Sequence, residues 1–194
     1  MSSPRLTETS YIVLGLLDQA GPATPYDLKQ LAQLSTNYFW SVPHTQLYTE
    51  CARLAGEGLL DESQEQTGRR RRTFRLTERG REHLDRWRNE PSEELYELRD
   101  ISTLKLFFGG DPATLAERQL TAHEQRLELY EQLREALTDA PQGQLLALEC
   151  GIGHEREFIG FWSRLAEGKP TQRKRSSASA RKSGPTPGPS SSVT

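Results

Sequence analysis

Long apolar runs are missing from this chain of 194 residues. None of its hydrophobic stretches is long enough to span a bilayer. The N-terminus also lacks the basic region and uninterrupted apolar segment of a secretory leader. A soluble, cytoplasmic protein with no membrane partner is therefore expected. Cysteine is scarce: Cys51 and Cys150 lie in different segments, without metal-type spacing, each inside an apolar helical pattern. Two buried, reduced thiols are the expectation. The four histidines, His44, His83, His123 and His154, share neither a helical face nor a ligand spacing, so no metal is assigned. A glycine-rich phosphate loop, a His-Glu-x-x-His pair and a serine in a nucleophile elbow are absent too. With these signatures missing, the sequence points away from an enzyme and calls for no cofactor.

What is present is charge. Hydrophobic residues make up 34% and charged residues 27%, which suits a mostly helical chain with much exposed surface or one carrying a disordered segment. The net charge of -2 conceals a strong asymmetry. Residues 1–90 hold 12 Lys/Arg against 12 Asp/Glu, residues 91–168 hold 7 against 15, and residues 169–194 hold 6 against none.

Along the chain, Thr9 to Ala20 is dense in apolar residues (Tyr11, Ile12, Leu14, Leu16, Leu17) and reads as a buried helix ended by Gly21-Pro22. Thr24-Pro25-Tyr26-Asp27 supplies an N-cap, a first-turn proline and a first-turn acid for a second helix. That helix is expected to turn Leu28, Leu31, Ala32 and Leu34 inward. After a connector at Phe39 to Pro43, a third helix runs to about Glu57. At about 100° per residue, Leu47, Cys51 and Leu54 form one stripe, while Thr45, Thr49, Ala52 and Arg53 lie opposite and His44 and Gln46 flank the N-terminal edge. Gly58 stops the helix and Leu59-Leu60 begins a strand. A polar turn at Gln64 to Gly68 leads to a second strand from Arg71 to Leu76, with Phe74 and Leu76 inward and Arg75 outward. Thr77 opens a fourth helix to about Trp87, and Asn89-Glu90-Pro91 marks a boundary.

Three helical patterns follow: Ser92 to Phe108, Asp111 to about Thr138, and Gly143 to Glu167. They are amphipathic and too few to enclose a core, so a partner helix is expected. Residues 169–194, rich in Ser, Pro, Gly, Lys and Arg, read as a disordered basic tail.

A short helix followed by an arginine-loaded hairpin is the layout of a winged helix-turn-helix, which points to DNA. Residues 69–81 contain seven arginines against the single acid Glu78. Arg69, Arg70, Arg71 and Arg72 sit at the wing tip, where guanidinium groups pair with phosphate oxygens or enter a narrow minor groove. The competing reading, a merely solvated hairpin, is disfavoured by that imbalance. Thr45, Gln46, Thr49 and Arg53, with His44 at the edge, are candidate groove readers, because Gln pairs with adenine, Arg with guanine, and a threonine methyl meets that of thymine. Their alternative is a polar solvent face. Tyr26 and Lys29, at the start of the second helix, are candidates for the phosphate backbone, and Arg75 joins the wing set. Tyr48 either donates its hydroxyl to phosphate or packs against the wing. Trp87, Tyr96, Phe107, Phe108, Phe158 and Trp162 either form a dimer core, the favoured reading, or line a ligand pocket between protomers.

Several segments in order resemble the PadR family of bacterial transcriptional regulators. They are Ile12-Val-Leu-Gly-Leu-Leu17, Tyr26-Asp-Leu28, Phe39-Trp40, Gln46-Leu-Tyr48, Arg53-Leu54, Glu57-Gly-Leu59 and the wing ending Phe74-Arg-Leu-Thr-Glu-Arg-Gly80, with Gly151-Ile152 and Trp162 in the last helix. The resemblance implies a homodimeric repressor whose C-terminal helices, with the first helix, form the dimer interface, and which commonly loses operator affinity on binding a ligand. It also favours the phosphate role for Tyr48. Two departures stand out: Pro43-His44 occupy the start of the third helix where glycine or serine is common, and the basic tail is extra.

The expected fold is thus mainly α: residues 1–90 a winged helix-turn-helix with a two-stranded β-wing, residues 91–168 C-terminal dimerisation helices with a candidate effector region, and residues 169–194 the tail. The expected function is a sequence-specific, homodimeric DNA-binding repressor released by a ligand or signal. Its expected partners are double-stranded DNA with a near-palindromic operator, a second copy of the chain and a small-molecule effector. The alternative is a winged-helix protein-interaction module with only non-specific DNA affinity.

Overall fold

The computed structural model describes residues 5–64 and 71–168. The chain divides into two units, one running to Glu97 and the other starting at Leu98.

In the first unit, three helices precede a hairpin and a fourth helix follows it: α1 (Glu8–Ala20), α2 (Pro25–Leu34), α3 (His44–Gly56), β1 (Leu60–Gln64), β2 (Arg72–Leu76) and α4 (Glu78–Asn89). A single 3-10 turn, Thr36–Tyr38, lies between α2 and α3. This is the winged helix-turn-helix order. Local chemistry sets the helix starts. Thr7 and Ser10 form a reciprocal capping box on α1, and Thr24 and Asp27 form another on α2, where Pro25 takes the first helical position. Hydrogen bonds from Thr24 hold the Asp27 carboxyl below its usual range. Thr77 caps α4 by accepting from the Gly80 amide.

The core is one apolar cluster fed by the four helices and the wing: Val13, Leu14 and Leu17 of α1, Leu28 and Ala32 of α2, Leu47, Cys51 and Leu54 of α3, Phe74 and Leu76 of the wing, and Leu84 of α4. Each fully buried aliphatic or aromatic side chain in such a cluster stabilises the fold by about 1.5–3 kcal/mol. Gly58, with φ of 73°, turns the chain out of α3 and into β1. The strands pair antiparallel with Leu60 opposite Leu76 and Gln64 opposite Arg72. Ala23, between α1 and α2, exchanges backbone hydrogen bonds of 3.0 and 2.9 Å with Phe74. The wing root is thereby paired on both sides, which fixes its position beside α3.

The second unit contains α5 (Ile101–Phe107), α6 (Pro112–Ala136) and α7 (Gln142–Ala166). Helices α6 and α7 form an antiparallel hairpin that buries Ala116, Tyr130, Ile152 and Trp162. Between them His123 Nδ1 lies 2.5 Å from the buried Glu155 carboxylate, and the His123 ring stacks on Phe158 with centroids 4.9 Å apart.

Three expectations are corrected. The helix expected from Ser92 is confined to Ile101–Phe107, capped by Asp100 through the Thr103 amide. Upstream, Leu95 is 93% and Tyr96 69% exposed. Without apolar burial, a short helix among Glu93, Glu94 and Glu97 has too little to stabilise it. Leu34 is 73% exposed rather than inward, because six positions beyond Leu28 it points away from the core side of α2. Cys150 is exposed while Cys51 is buried; two positions before Ile152, Cys150 falls on the opposite side of α7.

Candidate nucleic-acid interface

Helix α3 presents two contrasting faces. Leu47, Cys51 and Leu54 are buried, and His44, Thr45, Gln46, Tyr48 and Thr49 are exposed. Tyr48, 48% exposed, stands at the edge of the outer face. The Thr49 hydroxyl donates to the Thr45 carbonyl at 3.0 Å, so its proton is used within the helix while its lone pairs and methyl group remain as contact chemistry. From Leu28 to Thr49 the chain contains no Asp or Glu, whereas Lys29 and His44 lie within that stretch. The surface built from the second half of α2, the turn after it and the first half of α3 thus carries no formal negative charge.

The start of α2 adds a small cluster. Gln30 Nε2 donates to the Tyr26 hydroxyl at 3.1 Å, and the Lys29 ammonium lies 5.9 Å from the Tyr26 ring centroid. Lysine over a tyrosine ring at that distance gains weak cation–π attraction.

On the wing, Arg71 is exposed at the entry to β2. Arg72 grips the Glu62 carboxylate with two hydrogen bonds of 2.5 and 2.6 Å and lies 5.3 Å from the Phe74 ring centroid. The bond from Arg72 holds the Glu62 carboxyl below its usual range. Arg75 donates to Asp61 at 3.0 Å, the residue directly opposite it in the ladder. Arg69 and Arg70 lie outside the described residues.

Arg53 faces inward partners. Its guanidinium donates to Glu50 at 2.9 and 2.5 Å, to Glu57 at 2.6 Å and to the Ser10 hydroxyl at 3.0 Å. The fold therefore gathers Thr45, Gln46, Tyr48 and Thr49 on one exposed helix face, sets Arg71, Arg72 and Arg75 along the wing, and ties Arg53 to α1. Glu50, Ser10, Asp61 and Glu62 escaped the sequence reading. Asp61 and Glu62 become legible once the hairpin register is known, since Asp61 falls opposite Arg75 and Glu62 lies diagonally across the ladder from Arg72. Phe39, 69% exposed, and Trp40 also stand out beside α3, with only their position before the third helix to signal them.

Among the described residues, no helix is long and apolar enough to cross a membrane. Nor does any group of three His, Cys, Asp or Glu among them have the arrangement to hold a metal ion.

Residues 13–86 match the Transcriptional regulator PadR-like family, and residues 98–167 match the Virulence activator alpha C-term family. The negative transcriptional regulator PadR of Bacillus subtilis (strain 168) is 30% identical over 102 residues, which cover 50% of this chain and 54% of that protein. The match thus spans about half the length of that relative. Among solved structures, Bacillus subtilis PadR in complex with operator DNA superposes with a TM-score of 0.73 at 21% identity, covering 84% of this chain and 99% of the other. The same protein in complex with p-coumaric acid gives a TM-score of 0.68 at 23% identity, with 84% and 98% covered. At such identities the superpositions establish the fold alone. Residues 13–86 thus form a PadR-like transcriptional regulator domain.

Proposed function

We propose that this protein is a sequence-specific DNA-binding regulator that acts as a homodimer, represses transcription and is released by a ligand or signal. The observation that carries the reading is the outer face of α3. There His44, Thr45, Gln46, Tyr48 and Thr49 stand exposed on a surface free of carboxylates, beside a wing bearing Arg72 and Arg75 on β2 and Arg71 at its entry. Such a helix enters a major groove, where Gln46 offers a bidentate amide and the threonines offer hydroxyl and methyl contacts. Tyr48 and the arginines, with Arg69 and Arg70 just before them in the sequence and Tyr26 and Lys29 on α2, serve as phosphate contacts that fix register.

Dimerisation is supported by α5, whose Ile101, Leu104, Phe107 and the adjoining Phe108 are all exposed in the single chain. A row of large apolar side chains in water is what a second copy would cover. Repression and ligand release are supported by what the Bacillus relatives are called and solved with: a negative regulator, bound in one structure to operator DNA and in another to p-coumaric acid. The function is exercised in the cytoplasm, with no catalytic step.

The test is selection of bound sequences from a random double-stranded library at physiological salt. The reading expects a two-fold symmetric motif with half-sites about one helical turn, or a multiple, apart. Uniform recovery of all sequences, with purely electrostatic affinity, would instead favour a winged-helix interaction module.

A further inference from the structure

The side chain of Arg53 lies on the same helix as the exposed readers of α3, yet it is engaged elsewhere. Ser10, fully buried on α1, donates its hydroxyl to Glu50 Oε1 at 2.5 Å. That hydroxyl also accepts from the Thr7 amide at 2.8 Å and from Arg53 Nη2 at 3.0 Å, so the N-terminal cap of α1 and the middle of α3 share one oxygen. Arg53 closes the cluster by gripping both oxygens of Glu50, at 2.9 and 2.5 Å, and reaching Glu57 at 2.6 Å. The Glu50 side chain is only 12% exposed and that of Arg53 33%.

Turning Arg53 outward to a guanine would strip a mostly buried carboxylate of its cation and leave the Ser10 hydroxyl with one partner fewer. Removing one member of a buried pair is costly, because the other charge stays desolvated. The planar fork of arginine matches the two oxygens of Glu50, a geometry that lysine does not reproduce.

We infer that Arg53 is a positioning residue rather than a base reader: with Glu50 and Ser10 it clamps α3 to the capped start of α1 and sets the roll of the α3 face carrying Thr45, Gln46 and Thr49. This inference rests on the proposal that the face reads DNA. It accounts for three polar side chains meeting between α1 and α3 in an otherwise apolar core. Rotation of α3 by a few degrees displaces all readers together, so loss of the clamp degrades every contact rather than one.

The experiment uses the full-length chain and the operator recovered by selection. Affinities for operator and for random duplex, the base-preference profile and the melting temperature are measured for wild type, Ser10→Ala, Glu50→Gln, Arg53→Ala and Arg53→Lys, with Gln46→Ala as the reader control. All affinities are taken at a temperature where each variant is folded. For Arg53→Ala and Glu50→Gln, the operator-to-random affinity ratio is expected to fall at least tenfold while preference weakens evenly across the half-site. Arg53→Lys is expected to recover only part of the loss, and Ser10→Ala combined with Arg53→Ala to cost less than the sum of the two. Gln46→Ala weakens preference at one base pair. Loss of preference at a single base pair in Arg53→Ala, with Ser10→Ala and Glu50→Gln like wild type, would overturn the inference and make Arg53 a reader. A lowered melting temperature with an unchanged affinity ratio would overturn it in favour of a role in stability alone. Wild type binding all duplexes alike would overturn the functional reading and the positioning role together.

Discussion

Gly80 of α4 lies against Leu59 at the root of the wing so closely that a β-carbon on it would sit 2.2 Å from the Leu59 carbonyl oxygen and 2.9 Å from Leu76 Cδ1. In a solvent-facing helix, replacing glycine by alanine stabilises by about 1 kcal/mol. Here the sign reverses, since the obstacle is backbone that cannot step aside. Gly80→Ala is expected to destabilise the first unit by about 3 kcal/mol, the upper end of ordinary overpacking costs. Denaturant unfolding of the variant against wild type measures it, and a stability equal to or above wild type would contradict the close approach.

Cys51 and Cys150 differ in reactivity for a physical reason. Burial, reinforced by the nearby Glu50 carboxylate, pushes the Cys51 thiol up to about 12, whereas Cys150 is exposed. The thiolate is the reacting form, so at pH 8 Cys150 is expected to alkylate readily and Cys51 only when the chain opens. Mass mapping after timed iodoacetamide treatment, with and without denaturant, separates the two.

The Glu50 carboxyl titrates below its ordinary value of 4.5: burial raises it, but hydrogen bonds from Arg53 and Ser10 and the charge of Arg53 more than offset that. A carboxyl lowered by folding contributes stability that is complete above the unfolded value and lost as pH falls through the folded one. The cluster is therefore expected to support the first unit fully at neutral pH and to lose that support below about pH 4.5. Glu50→Gln should flatten this part of the acid limb when melting is followed against pH, and an unchanged acid limb would remove Glu50 from it.

Helix α5 offers a test of assembly. Phe107 is 81% exposed in the single chain and meets the Phe108 ring edge to face at 5.2 Å, so Phe107→Asp has little intramolecular packing to lose. If this row is covered by a second copy, the substitution buries a charge without a partner in the interface. The variant is expected to sediment as a folded monomer where wild type sediments as a dimer.

Much of this was legible in the residues. The stripe of Leu47, Cys51 and Leu54 located the buried side of α3, and the alternation of Phe74, Arg75 and Leu76 oriented β2, because both follow from the repeat of regular structure. The N-cap Thr24, the first-turn Pro25 and the first-turn acid Asp27 were similarly visible as local chemistry. Tertiary relationships were not. Nothing local announces that Ser10 and Glu50 share a hydrogen bond across 40 positions, or that Ala23 pairs with Phe74. The pattern from Ser92 to Phe108 misled for the same reason: Leu95 and Leu98 recur at helical spacing, but periodicity alone does not supply a surface for them to cover. Arg53 has a reader's position on the helical wheel, and only the tertiary structure reveals its bonds to Glu50, Glu57 and Ser10.

The ion pairs along the wing have a further consequence. Arginines count towards the salt sensitivity of DNA binding only insofar as they neutralise phosphates and set free the cations condensed around them. Arg72 and Arg75 already face Glu62 and Asp61, so their approach to DNA exchanges one anion for another and brings two carboxylates towards the phosphates. The slope of log affinity against log salt should therefore report fewer released ions than the arginines of the wing would suggest. Glu62→Gln, which leaves Arg72 without its competitor, should steepen it.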